Sequence, residues 1–162
     1  MNYTLEALES FPHQLRRHYE AIPEAFRHWA PRSWTGVPSE ALTAIEQVCH
    51  VRDIEIEGYQ VRFRRTLTEE RPVLDSIDTE RLARERNYGG TDFEVAFAAF
   101  RTAREKTLTL LKDLSASDFK RPAVFEGYGE VTMRSLVHYL CSHDQQHLSG
   151  LQWLLGKIES QR

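Results

Sequence analysis

The stretch LVHYLCSHDQQHLSGLQWLL, residues 136–155, decides how the rest of the chain is read. Leu136, Leu140, Leu151, Leu154 and Leu155 recur at helical spacing and mark one apolar face. Carried through its middle, that stripe lands on His143 and His147. Helix residues four apart differ by roughly 40° around the axis, so both imidazoles project from the core-facing side. The HxxxH spacing alone is a weak signal among seven histidines; the phase gives it weight. Two buried imidazoles are costly unless both find partners. A metal ion satisfies one nitrogen of each ring and an outer acceptor satisfies the other. The competing reading is a pair of core histidines bonded to protein groups. Two rings stacked on one core stripe favour ligation.

A site inside a bundle needs a further ligand from a facing helix. His50 is the best candidate, at the edge of a second apolar stripe made by Leu42, Ile45, Val48, Cys49, Ile56, Tyr59 and Phe63. This helix is expected to open at Ser39 as N-cap, with Glu40 in its first turn, and to stop before Pro72. Glu46, Asp53 and Glu57 stand four before, three after and seven after His50 and give its edge an acidic lining. Asp53 and Glu46 are the candidate proton acceptors. Orienting a ligand, contacting a metal-bound water and facing solvent are all open to these carboxylates. His13, His18, His28 and His138 fit the phase less well and read as surface or structural. Three neutral imidazoles leave coordination positions open, unlike a closed structural site. Such a set suits zinc, nickel, iron or cobalt, and an open position allows a bound water or thiol to be acidified or a carbonyl to be polarised.

Two more helices complete the pattern. The first runs from about Thr4 to Ile22, with Pro12 expected to delay or bend it. The third is expected to start at a Thr91-Asp92-Phe93-Glu94 capping box and to bury Phe93, Phe97, Phe100, Leu108 and Leu111. A short helix over Asp78–Arg86 lies between the second and third. AVFEGYGEV, residues 123–131, carries Gly127 and Gly129 and reads as a turn or short hairpin before the last helix, which begins at Thr132. No repeat or composition shift marks a boundary. Residues 1–162 therefore read as one all-α, four-helix-bundle domain with a short glycine-rich turn or hairpin before its last helix.

Composition narrows the function. At 162 residues folding buries roughly two-thirds of the chain's surface, so stability requires neither a disulfide nor a metal. A net charge of -3 gives no basic footprint for nucleic acid. No run approaches the ~18 apolar residues of a membrane span, and MNYTLEALES lacks a cationic start followed by an apolar run. Cys49 and Cys141 are too few for a disulfide framework and fit a reducing cytoplasm.

Two segments carry a family likeness. His50-Val51-Arg52-Asp53-Ile54-Glu55, and Gly129-Glu130-Val131-Thr132 leading through His143-Asp144-Gln145-Gln146-His147-Leu148, resemble the DinB-like, or YfiT-like, four-helix metalloprotein superfamily in order and separation. The resemblance implies an up-down-down-up bundle, metal ligation by His50, His143 and His147, and a homodimer. Members of that superfamily transfer low-molecular-weight thiols, isomerise substrates with a thiol cofactor, or hydrolyse. The expectation is a metal-dependent enzyme acting on a small molecule as a thiol S-transferase or hydrolase. It would hold one divalent transition metal (zinc, nickel or iron), with a low-molecular-weight thiol as cosubstrate in the first case. The alternative is a non-catalytic metal-binding stress-response protein.

Overall fold

Leu8, Phe11, Leu15 and Tyr19 recur every three to four residues and give helix α1 (Asn2–Ala21) a buried face. The computed structural model describes residues 1–161 of the chain. α1 starts earlier than expected and is continuous through Pro12. Proline has no N–H to give the carbonyl four residues before it. Arg104, from another helix, donates to that Leu8 carbonyl instead, Nη1 to O 3.0 Å.

α2 (Ala44–Asp53) opens after Thr43, not at Ser39. Thr43 and Glu46 form a capping box, with Glu46 Oε2 accepting from the Thr43 amide at 2.8 Å. Residues 39–42 are left outside the helix as loop. α2 runs on through a π-helical turn, Ile54–Tyr59, into α3 (Gln60–Thr68), with helical backbone angles at both junctions. The wider turn shifts the phase of everything after it. Gly58 lies in this turn beneath the Arg62 guanidinium, where a Cβ would stand 2.9 Å from Nη1.

After β1 (Val73–Leu74), α4 (Thr79–Glu85) is capped by Asp78. α5 (Phe93–Lys112) corrects the expected capping box: Asp92 is the N-cap and accepts from the Val95 amide at 3.0 Å. Glu94 is drawn away by Arg16, at 2.6 Å. β2 (Pro122–Phe125) and β3 (Gly129–Thr132) precede α6 (Met133–Glu159), which begins one residue after the expected Thr132, with Thr132 as its N-cap. β3 pairs antiparallel with β2, Pro122 opposite Thr132 and Phe125 opposite Gly129, while β1 adds to β2 in parallel. Gly127 and Gly129 supply the positive φ angles, 81° and 77°, of the connection. The molecule is thus mostly helical but carries a small three-stranded sheet, and its β1 edge was not legible in the sequence.

α1 packs on α5 and α6, and α2 packs on the same two helices. Arg16 pairs with Glu94 and Lys112 with Glu9, so α1 and α5 run in opposite directions. Glu55 meets Arg104 and Gln60 meets Thr107, so the rod from α2 to α3 runs along α5 in the same direction. Gln47 meets His147 and His50 meets His143, so α2 and α6 are opposed.

The apolar core comes in two clusters. One holds Leu15, Tyr19, Val48, Phe97, Leu148 and Leu151; the other holds Leu8, Tyr59, Phe63, Val137 and Leu140. Along α2 and α6, His50, Asp144 and His147 fall where one cluster gives way to the other, and all three are buried. Glu55 and Arg104 join them. A polar layer therefore crosses the bundle, and the candidate site is built on it.

Candidate metal centre

His50 comes from α2, and His143 and His147 from successive turns of α6. The Nε2 atoms of His50 and His143 are 3.0 Å apart, and those of His143 and His147 are 3.1 Å apart. Burial holds His50 below the ordinary imidazole range, against the pull of Glu40 and Asp53. Burial, with the neighbouring cationic forms, holds His143 and His147 well below it. The rings are neutral, the form that ligates a metal.

Gln47 settles one tautomer. Its Oε1 lies 2.7 Å from His147 Nδ1, so that nitrogen carries the proton and Nε2 presents its lone pair to the other rings. Gln47 is fully buried. Room for it comes from Gly150 on α6, where a Cβ would stand 2.6 Å from the Gln47 Nε2 and 2.3 Å from Ser39 Oγ.

The fourth member is Glu40, from the loop before α2. Its Oε1 lies 3.7 Å from His50 Nε2 and its Oε2 3.4 Å from His147 Nε2. One donor atom from each of Glu40, His50, His143 and His147 lies within 4.8 Å of the others. Glu40 Oε2 and His143 Nδ1 are buried without a hydrogen-bond partner. Nitrogen ligands about 2.0–2.1 Å from a metal stand roughly 2.8 Å (octahedral) to 3.4 Å (tetrahedral) from one another, so the 3.0 and 3.1 Å separations from His143 fit ligation. The unpartnered carboxylate oxygen fits it as well. This donor set of imidazoles and carboxylate suits a divalent transition metal.

Asp53 is not brought to this cluster. It accepts from Arg52 at 2.6 and 3.0 Å and from the Tyr88 hydroxyl at 2.6 Å, and Arg86 Nη1 lies 3.0 Å away. Burial pushes its carboxyl up, but these partners outweigh burial and the net shift is downward. Glu46 is committed to the α2 cap, and Glu57 pairs with Arg86 at the surface. Of the remaining histidines, His138 meets Thr4, His18 the Gln14 carbonyl and His28 the Gly89 carbonyl. Sequence reasoning missed Glu40, because assigning it to a first helical turn placed it away from the cluster. The Thr43-x-x-Glu46 capping signature was the signal that would have freed it.

Beside the imidazoles lies a fully buried charge cluster. Arg104 donates to Glu55 at 3.1 and 2.8 Å, to Asp144 at 2.7 and 3.0 Å, and to the Leu8 carbonyl. Burial outweighs the pull of Arg104 on Asp144 and pushes its carboxyl up to about 7. Asp144 adjoins His143 in sequence, so this cluster fixes the stretch of α6 from which the ring projects.

The pattern of the DinB superfamily matches residues 7–150, and the chain belongs to that superfamily. A protein of Oceanobacillus iheyensis, provisionally named a metal-dependent hydrolase, is 24% identical over 117 residues, which cover 72% of this chain and 67% of its own. A Bacillus licheniformis protein with the same provisional name is 27% identical over 112 residues, covering 67% of this chain and 62% of its own. The chain thus spans about two thirds of the length of these curated relatives. YfiT from Bacillus subtilis, described as a probable metal-dependent hydrolase with an unusual four-helix bundle topology, superposes with a TM-score of 0.80. That match covers 98% of this chain and 87% of YfiT at 20% identity, a likeness of fold. Among the described residues no helix is long and apolar enough to cross a membrane.

Proposed function

We propose that this chain is a metal-dependent hydrolase of a small molecule, holding one divalent transition metal through His50, His143 and His147. The observation that carries the reading is the convergence of three imidazoles, with the Nε2 atoms of His50 and His147 each 3.0–3.1 Å from that of His143, beside the unpartnered Glu40 carboxylate oxygen. The provisional names of the two curated relatives support hydrolysis over thiol transfer. The helix directions support an up-down-down-up order, and the resemblance supports a homodimer.

A bound divalent ion supplies Lewis acidity, acidifying a water and polarising a carbonyl oxygen. The protein's own part is positional. His147 is held in one tautomer by Gln47, and α6 presents His143 and His147 as a rigid pair four residues apart. Glu40, half-exposed, is the carboxylate nearest the imidazoles and the candidate to accept a proton there. Asp53 and Glu46 serve the frame, Asp53 by joining α2 to the Tyr88 segment and Glu46 by starting α2.

The test is elemental analysis of untagged protein, followed by panels of esters and amides and of thiols with electrophiles. The metal-loaded chain is compared with His147→Ala in each. Hydrolysis lost in the variant supports the reading. Equal rates for the two proteins would end it, and turnover confined to the thiol panel would move the chain to the transferases.

A further inference from the structure

His50, His143 and His147 stand on helices, whereas Glu40 stands on a loop. That loop, residues 31–43, is nonetheless anchored. Trp34 stacks on Trp153 of α6 with ring centroids 5.9 Å apart, and the Val37 amide closes a turn onto the Trp34 carbonyl at 3.0 Å. Ser39 Oγ reaches Gln47 Oε1 at 3.4 Å, the same oxygen that holds His147. Thr43 then fixes the far end as the α2 cap. The strap thus delivers Glu40 to the imidazoles from a position tied to both helices of the centre.

The carboxylate it delivers is in an unusual state. Oε2 is buried, has no hydrogen-bond partner, and faces the Nε2 of His147, whose proton sits on the opposite nitrogen. A carboxylate oxygen held against imidazole lone pairs is repelled unless a cation lies between them. The Glu40 side chain as a whole is nonetheless 40% exposed and borders a surface cavity of about 340 Å³, lined also by Leu42, Glu46, Thr79, Ala83 and Arg84. The carboxylate therefore has an inner oxygen at the centre and an outer face toward solvent.

We propose that Glu40 is a fourth protein ligand of the metal centre, exchangeable for an oxygen-donor small molecule that enters from the cavity between the strap and α4. The inference rests on the three-histidine reading and adds to it. Three neutral imidazoles leave a dication's charge uncompensated, and one carboxylate offsets half of it. Glu40 is also the ligand with the most freedom to leave, because it alone sits on a loop and is half-exposed. Exchange breaks one metal–oxygen bond and forms another, so charge balances when the incoming donor is itself a carboxylate, and no oxidant or reductant is needed.

The experiment uses cobalt(II)-loaded full-length protein as wild type, Glu40→Gln, Glu40→Ala and His147→Ala. Cobalt affinity is read by competition with a chelator, and coordination is read from visible absorption with and without acetate as probe. Loss of even an outer partner of a metal ligand costs roughly 10–100-fold in affinity, so Glu40→Ala is expected to bind cobalt about a hundredfold more weakly. Acetate should recover part of that loss and shift the bands of Glu40→Ala well before those of wild type. Glu40→Gln, which keeps the size without the charge, should fall between. Wild-type affinity, unchanged bands and indifference to acetate in both Glu40 variants would overturn the proposal. Cobalt uptake that His147→Ala abolishes keeps the three-histidine reading whatever the Glu40 variants do, whereas no uptake by wild type would overturn both. Circular dichroism of the metal-free variants separates loss of a ligand from loss of fold.

Discussion

Gln47 Oε1 lies 2.7 Å from His147 Nδ1, and Gly150 leaves the space in which that amide sits. Gln47→Leu removes the acceptor, so His147 is free to take either tautomer and to rotate. Metal affinity is expected to fall roughly 10–100-fold. Gly150→Ala tests the same contact from the other side. Alanine is favoured over glycine in a helix by about 1 kcal/mol, yet its Cβ would stand 2.3 Å from Ser39 Oγ and 2.6 Å from Gln47 Nε2. The prediction is a protein whose apo stability changes little, because helix propensity offsets the displaced side chains, but whose metal affinity falls with that of Gln47→Leu. Chelator competition and thermal melts of the apo-proteins check the two halves. Wild-type affinity in Gly150→Ala would show that the amide tolerates displacement.

The parts of this centre that stand on regular helix were legible in the sequence, because a 3.6-residue period converts spacing into direction. His143 and His147 were placed by that period alone, and His50 by the neighbouring stripe. Glu40 was not, since a loop has no period to read and Ser39 offers as good a nominal N-cap as Thr43. The Ile54–Tyr59 π turn was equally hidden, because nothing in IEIEGY distinguishes a wide turn from an α turn. From its start onward the face assignments drift. Glu57, expected on the edge of His50, pairs with Arg86 at the surface, while the buried carboxylate is Glu55. The Thr91–Glu94 box failed for a different reason, since Asp92 takes the N-cap one residue later and accepts from the Val95 amide.

Arg104 engages two carboxylates and a carbonyl in full burial, so its removal leaves Glu55 and Asp144 facing each other without a cation. Arg104→Met is expected to lose roughly 3–5 kcal/mol at neutral pH in urea unfolding. The loss should be pH-dependent with a definite sign. Burial without Arg104 holds the Asp144 carboxyl still further above its unfolded value, so the folded variant binds more protons than the unfolded chain and its stability falls as pH rises. Asp144 already stands at about 7 in the intact protein. The deficit should therefore be largest above that pH and shrink on acidification, and a pH-independent deficit would assign the effect to packing alone.

Asp53 behaves oppositely. Its folded carboxyl lies below the ordinary 3.8, because Arg52, Tyr88 and Arg86 together outweigh burial. The unfolded chain takes up this proton more readily, so the stabilisation is complete above about pH 3.8 and is lost as pH falls through the lower folded value. Asp53→Asn should cost roughly 2–3 kcal/mol at neutral pH. The difference in stability between wild type and variant should then narrow only on the acid side of that value. Urea midpoints measured from neutral pH down to the acid transition test this; a gap that stays constant to the lowest pH would remove the charge from the explanation.

Pro12 and Arg104 share the Leu8 carbonyl, one by declining to bond it and the other by bonding it. Proline inside a helix costs about 3 kcal/mol relative to alanine, so Pro12→Ala is nominally a stabilising change. Here part of that cost has been offset, because the freed carbonyl is satisfied by a guanidinium N–H at 3.0 Å. In wild type the gain from Pro12→Ala should therefore fall short of 3 kcal/mol, as the new amide competes with Arg104 for one oxygen. In the Arg104→Met background the same carbonyl is buried with no donor, and Pro12→Ala should gain about 1 kcal/mol more than it does in wild type. The four proteins form a double-mutant cycle read by urea unfolding. Additivity within about 0.3–0.5 kcal/mol would mean that the two residues do not share the carbonyl energetically. A coupling near 1 kcal/mol would mean that the hydrogen bond missing at Pro12 is part of how the bundle buries Arg104.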